Sequence, residues 1–339
     1  MKRSDGKKSM LEDKKVLLVA PKFYIYHQEI IKELESMGAD VTFFPEIEHT
    51  LYSRVTAKVA SRYYHDSVVI PHQRKVIAAA KENYFDYVFI IRGGYFDVAF
   101  ITELREQCSD ARFILYQWDS TRQNDYRALI PYFDEISTFD VEDSKELQID
   151  YRPLFCISQY SNLVTATNKV TDYDLCFVGA FHSDRLEVVN FFDQHLKANG
   201  RVFYCHMYIT KLAFLVRLLS GKIKLKYVKF FKTYPLGVDC VADLYQRSSA
   251  VLDVELNIQS GLSIRTFEVL GSHTKLVTTN RYIKEHSFYD PDIIDVINRS
   301  QLAYNDHFFD VSERHVEFGV NHYGLREWLA NIFIKPNCN

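Results

Sequence analysis

The chain has 339 residues, of which 47% are hydrophobic and 25% charged, with a formal net charge of −3. This composition supplies core material for two domains of ordinary size and excludes disorder, while the near balance of charge excludes a general binder of nucleic acid. No run approaches the roughly 18 apolar residues of a membrane span, and the polar start MKRSDGKKSMLEDKK has no signal-peptide core. Six cysteines (Cys108, Cys156, Cys176, Cys205, Cys240 and Cys338) show no CxxC pair; they read as reduced thiols of a cytoplasmic protein.

From Lys15 the pattern alternates strand and helix. VLLVAP (16–21) reads as a buried strand, HQEIIKELESMG as a helix stopped by Gly38, and DVTFFP as the next strand. The segment around 49–70, rich in Tyr, His and Ser, gives no clear pattern. A helix over HQRKVIAAAKENY leads to the strand DYVFIIRGG (86–94), which ends in a glycine pair. A helix near 97–107, the strand RFILYQ, a helix near 123–131 and the strand EISTF complete the first half. The polar run 158–172 reads as a linker.

The second half repeats the alternation. YDLCFVGAF reads as a strand, SDRLEVVNFFDQHLKANG as a helix capped by Ser183, and RVFYCHMYI as a strand. VADLYQRSSAVLDVE then gives a helix and a strand, followed by the loop and helix of QSGLSIRTFEVLGSH and the strand KLVTTN. The expected fold class is α/β, with two Rossmann-like domains, 1–157 and 173–320, facing a cleft. Residues 321–339 supply a last helix.

In such sheets ligands bind where strand ends meet helix N-termini, so QSGLSIRTFEVLGSHTKLVTTN (259–280) is the first place to look. Gly261 permits close backbone approach, and Ser260 or Ser263 caps the helix. Arg265 and Glu268 stand at i and i+3, on one face. A helix start offers N–H groups to a diphosphate, arginine adds a matched fork of donors, and glutamate can accept from two ribose hydroxyls. A surface ion pair between the two is the plainer alternative. GAFHSDR places Gly179, His182, Ser183 and Arg185 at a second strand end, where Arg185 could meet phosphate or Ser183 and Asp184 could only cap a helix.

Between Gln194 and Val238 there is no Asp or Glu, yet nine Lys and Arg residues fall inside. KLAFLVRLLSGKIKLKYVKFF interleaves them with apolar groups, a pattern suited to an anionic membrane surface across 211–232; a basic solvent face is the alternative. Lys229 or Lys232 could instead reach a diphosphate. The paired carboxylates Asp172/Asp174 and Asp290/Asp292 have no His or third acid nearby and read as solvated turns, so no metal is expected.

The 259–280 stretch, with LYQWDS, FVGAFHSDR and HSFYDPDIIDVINR, resembles bacterial glycosyltransferases of the GT-B type, more narrowly those of lipopolysaccharide, O-antigen or capsule assembly. The resemblance runs from about Lys15 to Phe333. It implies an N-terminal acceptor domain, a C-terminal nucleotide-sugar domain and a final helix, YGLREWLANIF, crossing back. It also implies a glycan or lipid-linked acceptor, no cofactor, and a cytoplasmic protein at the inner face of the membrane. Retaining members carry two glutamates eight apart; here Ser260 stands eight before Glu268, so that signature is missing. An inverting reaction would need a base at the acceptor. Asp119 in QWDS is the first candidate and His27 the second, with Trp118 stacking on a sugar ring and Arg92 and Gly93 bringing donors and open backbone. A sugar-nucleotide epimerase on the same fold, or a non-catalytic nucleotide-sugar-binding partner, are the alternatives.

Overall fold

The computed structural model describes residues 9–48, 61–163, 171–182, 184–310 and 320–333. It divides into two compact units, Met1–Pro153 with Leu325–Asn339, and Leu154–Gly324. The fold is α/β, and each unit is Rossmann-like, built on a six-stranded, wholly parallel sheet.

The strands of the first unit are β1 (Lys15–Ala20), β2 (Asp40–Pro45), β3 (Tyr87–Ile91), β4 (Arg112–Gln117), β5 (Glu135–Thr138) and β6 (Asp150–Tyr151). They lie in the order β2-β1-β3-β4-β5-β6. Helices α1 (Tyr26–Ser36), α2 (Ile70–Glu82), α3 (Val98–Gln107) and α4 (Val141–Leu147) connect them. The central strands are continuous apolar runs because both faces are covered; Val16 to Ala20 and Val88 to Ile91 are fully buried. α1 buries Tyr26, Ile30 and Leu34, one per turn. The last helix, Leu325–Phe333, belongs to this unit. Its Trp328 sits edge-on to Tyr116 with ring centroids 4.8 Å apart, and Phe333 meets Phe89 at 5.3 Å.

In the second unit β7 (Tyr173–Ala180), β8 (Phe203–Tyr208), β9 (Phe231–Lys232), β10 (Ser248–Asp253), β11 (Lys275–Thr278) and β12 (Ile294–Val296) lie in the order β12-β11-β10-β7-β8-β9. Its helices are α5 (Ser158–Ser161), α6 (Arg185–Ala198), α7 (Lys211–Leu219), α8 (Val238–Gln246) and α9 (Ile264–Gly271). Phe177, Phe192, Leu252 and Val277 fill the core.

Several expectations need correction. No α-helix forms near 123–131; a 3₁₀ helix spans Arg127–Tyr132, and Pro131 inside it has no N–H to continue a ladder. Part of the expected linker is structured: α5 buries Tyr160, which stacks on Tyr245 with centroids 5.8 Å apart. Residues 164–170 and Ser183 lie outside the described residues, and Asp184 is the residue at the start of α6. Helix α7 was not resolved by periodicity, because its apolar residues do not sit on one inward face. Among the described residues no helix is long and apolar enough to cross a membrane.

Candidate functional site

Each sheet reverses its strand order once, between β1 and β3 in the first unit and between β7 and β10 in the second. The crevice beyond the carboxyl ends of such strands is where open α/β sheets take ligands. Both crevices carry clustered charge.

In the second unit the cluster is arginine-rich. Arg185, first residue of α6 and only 7% exposed, donates from Nε to the Val254 carbonyl and from Nη1 to the Ala180 carbonyl, both at 2.8 Å. It thereby ties together the ends of β7 and β10. Arg265, at the start of α9, reaches Asp253 at the end of β10, Nη1 to Oδ1 3.0 Å. Asp253 also accepts from Ser263 Oγ at 2.6 Å and Thr266 Oγ1 at 3.1 Å. Arg299, just past β12, pairs with Asp184 at 2.7 Å and with Glu255 at 3.0 Å. The Nε atoms of Arg265 and Arg299 are buried without a hydrogen-bond partner among the described residues.

Gly179 makes this packing possible. A Cβ there would lie 3.1 Å from Arg265 Nη2 and 3.2 Å from Arg185 Nη1. Two guanidiniums thus crowd one main-chain position, where like charges repel unless an anion offsets them. Asp253 offsets Arg265, whereas Arg185 has, among the described residues, only carbonyl dipoles at hydrogen-bond distance. Burial first, then Arg265, lowers the Arg185 pKa to about 9. His182 registers the same field: burial, then Arg185, Arg265 and Arg299, lower its pKa to about 4. Positive potential prevails over the three acids here.

The plainer alternative, a surface pair between Arg265 and Glu268, is not what the structure shows. Arg265 turns to Asp253, and Glu268 is inside the unit, 8% exposed, with burial raising its pKa to about 8. Ser263 is the N-cap residue of α9, but its hydroxyl serves Asp253 rather than the helix. Gly261 offers its carbonyl to Asn280 Nδ2 at 2.9 Å. Lys229 is held by Asp193, more than two turns along α6 from Arg185, and so is not brought to the strand ends. Lys232 stands at the end of the edge strand β9, opposite Tyr208.

The first unit's cluster inverts the charge. Arg92, directly after β3, has φ +74°, a conformation that costs a non-glycine residue roughly 1–2 kcal/mol. Its carbonyl accepts from Gln117 Nε2 at 2.6 Å and Asn124 Nδ2 at 3.2 Å, which hold it there. Its Nε lies 3.3 Å from Asp119 Oδ2 and 3.6 Å from Glu46 Oε2. Gly93 is also left-handed, at φ +66°. Gly94 leaves room for the guanidinium, since a Cβ would lie 3.0 Å from Arg92 Nε; its N–H donates to Glu46.

Burial raises Glu46 to about 7, Arg92 offsetting part of the shift, and raises Asp119 for the same reason. The loop carrying Trp118 and Asp119 is anchored two residues later: Thr121 gives N–H and Oγ1 to the buried Asp143, each at 2.7 Å. His27 packs its ring on Phe43 of β2, centroids 5.6 Å apart, and burial then Lys22 lower its pKa. Trp118 meets Phe23 edge-on at 6.0 Å.

The structure therefore groups Arg92, Gly93 and Asp119, and separately Gly179, Arg185, Ser263 and Arg265. Sequence reasoning missed Glu46, Asp253, Glu255 and Arg299. Their only signal was position, each being an ionisable residue at or just after a strand end. Among the described residues no group of three His, Cys, Asp or Glu is placed to hold a metal ion.

No protein-family model matches this sequence, and no curated protein matches it. Solved structures do match in fold. The N-terminal domain of trehalose-6-phosphate phosphatase from Candida albicans is 9% identical with a TM-score of 0.59, over 97% of each chain. A Listeria monocytogenes protein described as a UDP-N-acetylglucosamine 2-epimerase is 11% identical with a TM-score of 0.52, over 94% of each chain. An α-glucosyltransferase in complex with UDP and a mismatched 13-mer DNA is 13% identical with a TM-score of 0.51, over 79% of this chain and 81% of that one. At these identities the likeness is one of fold: two Rossmann-like units of the GT-B kind.

Proposed function

We propose that this chain is a glycosyltransferase, taking a nucleotide-sugar in its second unit and a glycan hydroxyl in its first. The observation that carries this reading is the convergence of Arg185 and Arg265 on Gly179 at the strand ends, with Arg299 nearby on Asp184 and Glu255. A buried guanidinium such as Arg185, held by carbonyls and paired with no carboxylate among the described residues, favours a ligand that brings phosphate. Such guanidiniums also stabilise the diphosphate as it leaves, which is the charge developing in the transition state. In this reading that charge comes from arginine, with no metal ion or cofactor required. Glu268, protonated near neutral pH, both donates and accepts toward ribose hydroxyls.

On the first unit Asp119 takes the acceptor's proton. Burial raises its pKa toward the operating pH, where a general base works best. Arg92 orients it, and Trp118 presents a ring face to a sugar. The acceptor class is a lipid-linked or growing cell-surface polysaccharide of the lipopolysaccharide, O-antigen or capsule type, on the motifs in 259–280 and their companions. The UDP-bound α-glucosyltransferase with the same fold supports the donor class.

A thermal-shift screen of UDP-, GDP-, ADP- and dTDP-sugars tests this. A donor at 100 times its Kd should stabilise the protein by about 2.7 kcal/mol. The hit is then incubated with protein and glycan acceptors. Release of nucleotide with a lengthened acceptor supports transfer; interconversion of the sugar without nucleotide release would replace the reading by epimerisation. No shift with any nucleotide-sugar would remove it.

A further inference from the structure

Helix α7 reverses the usual arrangement of a surface helix. Its outward stripe is Leu212, Leu215, Val216 and Leu219, spaced i, i+3, i+4, i+7 and exposed by 73%, 50%, 56% and 79%. Its inward side, Ala213, Phe214 and Leu218, is partly buried against the second unit's core. None of its residues is fully buried. Past the turn at Gly221, Leu225 adds another apolar side chain, 80% exposed. A soluble surface has no use for such a stripe, and contiguous exposed apolar area marks an interaction site.

The charges around it are sorted. Lys211, Lys222, Lys224 and Lys226 are exposed beside the stripe, and none makes an ion pair among the described residues. Elsewhere in the acid-free segment three basic residues are paired with carboxylates. Arg201 is held by Asp174, Asp306 and Asp310, while Lys197 and Lys229 share Asp193. Of the basic residues in this segment without an ion pair among the described residues, four border the leucines, while Arg217 lies over Phe181 and Lys232 ends β9.

We propose that this face of the second unit, α7 with the turn to Leu225, docks on an anionic lipid bilayer. The leucines and Val216 enter the headgroup–acyl boundary while the lysines meet lipid phosphates. A second copy of the chain fits less well. Two-fold self-contact would set the same lysines against one another, and the acid-free segment offers no carboxylate to offset them. The proposal stands independently of the transfer reaction.

Vesicle co-sedimentation tests it, using phosphatidylcholine alone and phosphatidylcholine mixed with phosphatidylglycerol. The full chain should bind the mixed vesicles at low salt and be released as salt screens the attraction. The double variant Leu215→Glu/Leu219→Glu changes only outward positions, so its melting curve should match the wild type while vesicle affinity falls at least about tenfold. Lys222→Gln/Lys224→Gln/Lys226→Gln should weaken binding by about ten- to a hundredfold. Substituting Lys32 and Lys81 by Gln, on α1 and α2, should leave it unchanged. Absence of binding to the mixed vesicles, or equal binding by both leucine and lysine variants, would overturn the proposal. So would a dimer in sedimentation velocity that Leu215→Glu/Leu219→Glu dissolves, because the face would then belong to a second copy.

Discussion

The two units share a sheet of six parallel strands and a single reversal of strand order, yet their crevices carry opposite chemistry. In the first, one arginine sits between two carboxylates, Glu46 and Asp119, whose pKa values burial drives up. In the second, two arginines crowd a glycine with a third close by, and burial and these arginines drive a histidine down to about 4. Topology supplies the place where a ligand can bind; the few side chains at the strand ends decide what it can be. An acid-rich end suits a hydroxyl that must lose a proton, and an arginine-rich end suits phosphate.

Asp119→Asn tests the acidic crevice with the largest effect. The amide still accepts from Arg92, so the loop should hold, but it cannot take a proton. Turnover is expected to fall about a hundredfold or more while nucleotide-sugar affinity stays within error. Steady-state kinetics with calorimetry would show it, and unchanged turnover would clear Asp119 and turn attention to His27, the second candidate.

Gly179→Ala sharpens the other side of the comparison. The new methyl meets two guanidinium nitrogens at 3.1 and 3.2 Å, so Arg185 or Arg265 must move. Overpacking of this kind costs about 1–3 kcal/mol, and affinity for a nucleoside diphosphate should drop about tenfold or more with the bare nucleoside less affected. Equal losses for both ligands would point to general damage in the second unit instead.

The last test reads stability against pH. Glu46 and Glu268 have folded pKa values of about 7 and 8 against 4.5 for the ordinary side chain. Between those limits the native state holds protons that the unfolded chain has released. Stability should therefore fall as pH rises from about 4.5 to 8, by up to about 1.4 kcal/mol per pH unit for each group, and level off above that. Glu268→Gln removes one such group without adding charge. Its melting temperature should exceed the wild type at pH 9 and approach it at pH 5. Parallel curves for the two proteins would show that burial does not hold Glu268 protonated.

Much of the scaffold was legible in the sequence because buried parallel strands are continuous apolar runs. DVTFFP and RFILYQ are observed as β2 and β4 with the same bounds. The short strands β6, β9 and β12 were not legible, since two or three residues carry no periodicity. At the sites, Arg265, Arg185 and Asp119 were found because each follows a strand end in a glycine- or serine-marked loop. Their partners were hidden. Asp253 pairs with Arg265 across a 10-residue loop, and Glu46 meets Arg92 only because β2 and β3 flank β1. Such pairings depend on strand order, which no local pattern encodes. The exposed face of α7 was hidden for a related reason: its apolar stripe points away from any core.

The central claim is that phosphate recognition belongs to the second unit's arginines and not to the first unit's Arg92. Calorimetric titration of UDP, GDP, ADP and dTDP, each beside its nucleoside, into wild type, Arg265→Ala, Arg265→Lys and Asp119→Asn tests it most directly. At least one diphosphate should bind well and its nucleoside weakly. Arg265→Ala should cost that diphosphate about 1.5–3 kcal/mol, the worth of a hydrogen bond to a charged group. Arg265→Lys, which keeps Asp253 paired, should cost less, and Asp119→Asn nothing. Binding that is lost with Asp119→Asn and kept with Arg265→Ala would contradict the account.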